Sequence, residues 1–544
     1  MSSRTVDQSV ASWLQRYSAA DVALGDLLCD AHDGVALEYE GPRGPVSLSY
    51  SELGEQSMRL AGALAVAGVR ADSVVAVMLP KSPELVTALV AIWRLGAVEV
   101  PLFTAFGPDA VSYRVNHSGA RFAITDTANR AKFDDCDPAL TVFCVADPDT
   151  KVRAGDHDLA AATQAGDPVG GVSRTGDDLL MVLYTSGTTG QPKGVEVPIR
   201  ALASIHSYMH YGLDLRREDV FWNIADPGWG YGLWFAVIGP LLLGQTTLLR
   251  GVRFDAADAL DAIVRHGVTN LTGAPTVYRS LRAAGVPPSF RDRSQLRGAS
   301  SAGEPLNAEL LEWSERDLGL GIHDHYGQSE LGMPVGFARH PALHREPVPG
   351  SMGFAAPGYR AVVLTDAGAE AEAGVQGELA IDVTASPLYW FRGYFRDRER
   401  TAERFRHGPR YYLTGDGARM DEDGLLHFAS RTDDVITSSG YRIGPFEVES
   451  ALIAHESVAE VAVVGIPDEQ RGEAVTAFVV TTADADGRPE LAEELQQFVK
   501  SRLAAHLYPR QVVFVDELPR TPSGKIQRVV LREQWHDGQP TEAT

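Results

Sequence analysis

Residues 184–194 read YTSGTTGQPKG, with three glycines, four small hydroxyl side chains and a lysine just behind a proline. The apolar run leading into it, MVL, suits a buried strand. Backbone N–H groups and hydroxyls unobstructed by bulk are what a bound phosphate needs. The GK[ST] ending of the common P-loop is absent, because Gly194 follows Lys193. A mobile surface turn is the plainer alternative for so many small residues. Other chemistry-bearing residues sit in short polar stretches: Glu330 in HDHYGQSE, Asp416 in TGDGA and Lys525 in TPSGKIQR. Taken singly, such a glutamate or lysine is usually solvated and a DG pair is usually a turn.

These residues need elements to hold them. VVAVMLP at 74–80 reads as a strand, SPELVTALVAIWRLGAV at 82–98 as a helix capped by Ser82, and VEVPLF at 98–103 as the next strand. The same rhythm returns at 121–125, 141–145, 246–250 and 269–273, which predicts parallel sheets flanked by helices. The last hundred residues read instead as helix, strand, strand, helix, strand, a compact α+β module. Polar and glycine residues at 430–445 mark its start and a hinge, giving domains 1–432 and 433–544, and the tail WHDGQPTEAT is expected to fray.

Composition excludes several classes. A chain of 544 residues is too long for one core. A formal charge of -23 argues against a general nucleic-acid binder, so a polyanionic ligand must meet a local basic patch. Cys29, Cys136 and Cys144 have no metal-ligand spacing and fit a reduced, cytoplasmic setting. The N-terminus lacks the apolar stretch of a secretory signal, and LWFAVIGPLLL at 233–243 is too short to span a bilayer, so no stable membrane insertion is expected.

Six motifs occur in order: YTSGTTGQPKG, SAGEP (301–305), HDHYGQSE (323–330), YYLTGDGARMDEDG (411–424), SRTDDVITSSGYRIGP (430–445) and TPSGKIQR (521–528). Together they resemble the adenylate-forming superfamily of acyl-CoA synthetases, peptide-synthetase adenylation domains and luciferases, over nearly the whole chain. The resemblance is to acyl-CoA synthetases of the medium-chain and acetyl-CoA synthetase-like type. It implies an α/β fold, with a large N-terminal domain of packed mixed β-sheets and flanking helices and a small mobile α+β C-terminal domain. It also implies a reaction in which a carboxylic acid attacks the α-phosphate of ATP and the acyl-adenylate then passes to CoA. Two anions must be brought together, so positive charge and fixed donors have to offset their repulsion. By this resemblance Thr185, Ser186, Gly187, Thr188, Thr189, Gly190 and Lys193 hold the phosphates, with Thr185, Glu330 and Lys525 in the catalytic step. Glu330 is the Mg²⁺-linked carboxylate, an oxygen ligand of the kind a hard cation prefers. Asp416 accepts from both ribose hydroxyls, with Arg431 nearby. Tyr326 stacks on adenine, Asp324 takes its amine, Gly303, Glu304 and Pro305 line the slot, and His325, Gly327, Gln328 and Ser329 complete it. Lys525 bridges the carboxylate and the α-phosphate as a compact point charge.

The resemblance further implies that the C-terminal domain rotates about Asp433 and brings Ser439, Gly440, Tyr441 and Arg442 to CoA. FWNIADPGWGYGLW at 221–234 is similar to the family's acyl-pocket segment, which makes Trp229, Tyr231 and Gly327 pocket residues. Acetate-specific relatives carry a tryptophan where Gly327 stands, so a roomier pocket is expected, taking short branched or medium-chain aliphatic acids ahead of aryl acids and acetate. No carrier module follows Lys525, which favours free CoA, and a carrier protein in trans is the alternative. A non-catalytic nucleotide-binding scaffold would be expected to have lost Lys525, Glu330 or Asp416. Relatives occur as monomers and as oligomers.

Overall fold

The apolar runs become the inner strands of two large sheets. The computed structural model describes residues 3–536 except 148, 186–191, 305, 432, 433, 435, 439, 440, 469, 470, 483, 484, 486–488, 504–506 and 522–525, with backbone only at 3, 4, 430, 431, 437, 441 and 442. The first sheet has seven strands in the order 193–198, 179–185, 98–101, 74–78, 122–126, 141–145, 157–158. All are parallel except Lys193–Pro198, which runs antiparallel to Leu179–Thr185 at the edge. The second has nine, in the order 354–355, 332–336, 322–328, 298–302, 270–273, 221–223, 247–250, 35–41, 44–49. Its inner strands are parallel and its edges antiparallel, so both sheets are mixed.

Helix Pro83–Arg94 follows the expected logic. Ser82 Oγ accepts from Leu85 N, and every residue from Leu85 to Arg94 is buried, so the helix lies between layers with no polar face to solvent. Its one buried cation, Arg94, is paired with Asp30. LWFAVIGPLLL is likewise a buried core helix, built from a π turn at Leu233–Ile238 and α turns either side. Among the described residues no helix is long and apolar enough to cross a membrane.

A four-stranded antiparallel sheet, Ala361–Leu364, Gln376–Asp382, Tyr411–Met420 and Leu426–Arg431, follows. Beyond it lie the hairpin Ile436–Ser438/Tyr441–Ile443, helix Pro445–Ile453, strands Val458–Asp468 and Gly472–Thr481, helix Pro489–Arg502 and strand Gln511–Phe514, around a core of their own. The expected helix, strand, strand, helix, strand order is present. One correction concerns the tail: Trp535 and His536 end a final helix, Arg528–His536, because the Trp535 ring finds Phe478 to pack against at 6.5 Å.

Candidate active site

Three of the motifs lie at the carboxyl ends of parallel strands, where open α/β sheets bind ligands. Thr185 closes the strand Leu179–Thr185 and pairs across the ladder with Lys193, the first residue of the next strand. The glycine-rich stretch therefore joins two antiparallel strands and not a strand to a helix. Ser186, Gly187, Thr188, Thr189 and Gly190 lie outside the described residues, as do Pro305, Asp433, Ser439, Gly440 and Lys525, and of Arg431, Tyr441 and Arg442 only the backbone is described.

Lys193 is tied to Glu330 through a residue that sequence reasoning missed. The Tyr394 hydroxyl donates to Glu330 Oε1 at 2.7 Å, while Arg404 Nε at 3.0 Å and Lys193 Nζ at 3.5 Å donate to the Tyr394 hydroxyl oxygen. Burial, and then the Glu330 carboxylate, raise the Tyr394 phenol well above its usual range, so it stays a donor. Glu330 itself is 6 % exposed. Tyr394 and Arg404 fall in no motif, and a ten-residue gap between a phenol and a guanidinium carries no periodic signal.

The ribose and adenine residues also meet. The Tyr326 hydroxyl donates to Asp416 Oδ2 at 2.5 Å, and Gln328 Nε2 reaches the same oxygen at 2.7 Å and the Thr414 carbonyl at 2.8 Å. Asp324 lies one strand in from Gly303, with Leu306 N donating to its Oδ2 at 3.3 Å. Its Oδ1 is buried without a partner among the described residues, and burial pushes its carboxyl up to about 8. A buried orphan acceptor is what an amine-bearing ring would satisfy. Gly303 has φ +100° with open space where a Cβ would project, and Glu304 is held by Arg279 at 2.7 Å. Left-handed backbone and empty volume together explain a glycine at that position.

Gly327 sits at an irregularity in its strand pairing. A Cβ there would run into the Gly332 carbonyl and the Met333 sulfur. The cause is a β-bulge: Tyr326 pairs with Val335 but Gln328 with Gly332, so residue 327 opposes two residues and turns toward their backbone. A glycine at 327 thus lets the two strands approach closely. Trp229 packs on Phe103 and Phe106, each at 5.4 Å, with its buried indole N–H unpartnered among the described residues. A Cβ on Gly230 would lie 3.7 Å from Ser329 Oγ, which brings the segment against the YGQSE strand. Tyr231 bonds Tyr208 at 3.2 Å and Tyr208 bonds His325 Nδ1 at 3.0 Å.

The geometry thus joins Lys193 and Glu330 through one phenol, sets Asp324 and Asp416 near another, and links Tyr231 to His325 through a third. The AMP-binding enzyme model matches residues 30–395, and the AMP-binding enzyme C-terminal domain model matches residues 447–525. The chain belongs to the AMP-binding enzyme family. It is 36% identical over 492 residues to the uncharacterized acyl–CoA ligase YtcI of Bacillus subtilis, covering 90% of both chains. It is 36% identical over 515 residues to the mitochondrial acyl-coenzyme A synthetase ACSM3 of Rattus norvegicus, covering 91% of this chain and 86% of that one. The crystal structure of a Brucella canis acyl-CoA synthetase shares 46% identity, covers 98% of this chain and 99% of that one, and superposes with a TM-score of 0.76. The adenylate-forming resemblance read from the motifs therefore stands, and the protein is an AMP-forming acid–CoA ligase.

Proposed function

We propose that the protein activates a short branched or medium-chain carboxylic acid as its acyl-adenylate at the site above and transfers it to CoA, releasing AMP and pyrophosphate. The observation that carries this reading is the Tyr394 hydroxyl, which couples Glu330 to Lys193 at the mouth of the glycine-rich loop. In this reading Lys193 and the loop bind the β- and γ-phosphates, and Asp416 exchanges its phenol and amide donors for ribose hydroxyls. Asp324 Oδ1 accepts from the adenine amine, with Tyr326 against the ring.

Magnesium fits this donor set. Glu330 offers one buried carboxylate, and among the described residues no group of three His, Cys, Asp or Glu side chains would hold a metal alone. That suits an ion held chiefly by nucleotide oxygens. When bound it would neutralise phosphate charge. Lys525, brought in by the 433–544 domain, would steer the attacking carboxylate, and rotation about Asp433 would then exchange it for Gly440 and Arg442 at the CoA channel. Three free, buried cysteines fit a reducing cytoplasm.

The test is mass spectrometry of reactions with ATP, Mg²⁺ and acids from acetate to octanoate, including isobutyrate, 2-methylbutyrate and benzoate, with and without CoA. Acyl-CoA and AMP formed best from the branched and medium-chain acids is the expected result. Acyl-adenylate that never passes to CoA would transfer the assignment to a carrier-protein thiol.

A further inference from the structure

The three rings beside the acyl segment form a hydrogen-bond chain whose direction chemistry fixes. His325 Nε2 lies 3.0 Å from the Phe337 carbonyl, which can only accept, so Nε2 carries the proton. Burial holds the imidazole neutral, with its pKa down to about 4, so Nδ1 presents a lone pair. Tyr208 Oη, 3.0 Å from Nδ1, must then donate to it. With its proton spent there, Tyr208 can only accept from Tyr231 Oη at 3.2 Å, so Tyr231 donates. Tyr231 ends the chain with its proton used and only lone pairs left to offer.

The chain also runs from inside outward. His325 is 3% exposed and Tyr208 6%, whereas Tyr231 is only partly buried. The Asp324 carboxyl acts electrostatically on both phenols, and Gly230 abuts Ser329, so the open end lies beside the nucleotide residues. We propose that Tyr231 Oη is a hydrogen-bond acceptor in the acyl pocket that selects carboxylic acids bearing a hydroxyl on their chain over the unsubstituted acids. An ammonium donor is a poorer match, because Asp226, the carboxylate of this segment, already accepts from Gly228 N at 2.8 Å and stands in the field of Lys81. The inference rests on the ligase reading above and narrows its substrate class.

The experiment measures kcat/KM for acyl-CoA formation by the full chain with pentanoate, its 2-, 3- and 4-hydroxy derivatives and 4-oxopentanoate. One hydroxy acid should exceed pentanoate by about 10-fold, the equivalent of one net hydrogen bond, and should also exceed the oxo acid. Tyr231→Phe should bring that ratio close to one. Tyr208→Phe should do something a structural role would not: it frees the Tyr231 proton, so the oxo acid should gain on the hydroxy acid by roughly 5-fold. Pentanoate preferred by the unaltered enzyme over every hydroxy acid would overturn the proposal without recourse to any variant. So would a hydroxy-to-unsubstituted ratio unmoved by Tyr231→Phe. If none of these acids yields acyl-CoA or AMP, the proposed short-chain substrate class fails instead, a distinct result.

Discussion

Asp416 and Glu330, on the nucleotide side, each hold a phenol hydroxyl from a neighbouring element, while on the acyl side the phenols hold one another and end on an open lone pair. The first arrangement fixes the orientation of each carboxylate, as suits a ligand that every turnover shares. The second leaves one group whose partner must come from the variable substrate. The contrast suggests that the adenylating half is preorganised and the acid-selecting half is tuned by a few hydroxyls and a packed backbone.

Substitutions can break that contrast. The largest effect should come from Lys525→Ala, which on the proposed reading removes the point charge that steers the carboxylate: acyl-dependent ATP–pyrophosphate exchange should fall by ~10²–10³ or more, while transfer from supplied acyl-adenylate to CoA largely survives. Equal loss in both assays would mean that one arrangement of the two domains serves both steps. Next is Gly327→Ala, whose methyl meets the Gly332 carbonyl; chemical denaturation should show a loss of about 1–3 kcal/mol. An unchanged midpoint would mean that the close approach of the two strands does not need the glycine. A third test follows ATP affinity against pH. Asp324 accepts best when ionised and its carboxyl is raised to about 8, so nucleotide affinity should weaken as pH falls through about 8, and Asp324→Asn should flatten the curve.

A last effect lies away from both halves, at Glu99 in the strand Val98–Pro101. It is 1% exposed, its Oε2 has no partner among the described residues, and burial pushes its carboxyl up to about 8. The folded state therefore holds a proton that the unfolded chain has lost above its ordinary value near 4.5. Stability should decline between those two pH values, by at most about 1.4 kcal/mol per unit, and thermal melts of Glu99→Gln should lose that slope.

The nucleotide residues could be named from the resemblance that their ordered motifs carry, and the structure brings some of them together, Thr185 opposite Lys193 and Tyr326 within reach of Asp416. The βαβ rhythm was equally plain, since buried parallel strands are unbroken apolar runs. On the acyl side the sequence named Trp229, Tyr231 and Gly327 but not the contacts they make. Tyr208, Tyr231, His325 and Met333 come from three separate segments, and a bulge that reverses where residue 327 points depends on pairing with Val335 and Gly332, which no local pattern encodes. Tyr394 was hidden for the same reason, lying in an irregular stretch between sheets.

The Tyr394 hydroxyl occupies Glu330 before any nucleotide arrives. On the proposed reading Glu330 would hold the nucleotide's magnesium while a phenol that already donates to its Oε1 stays beside it.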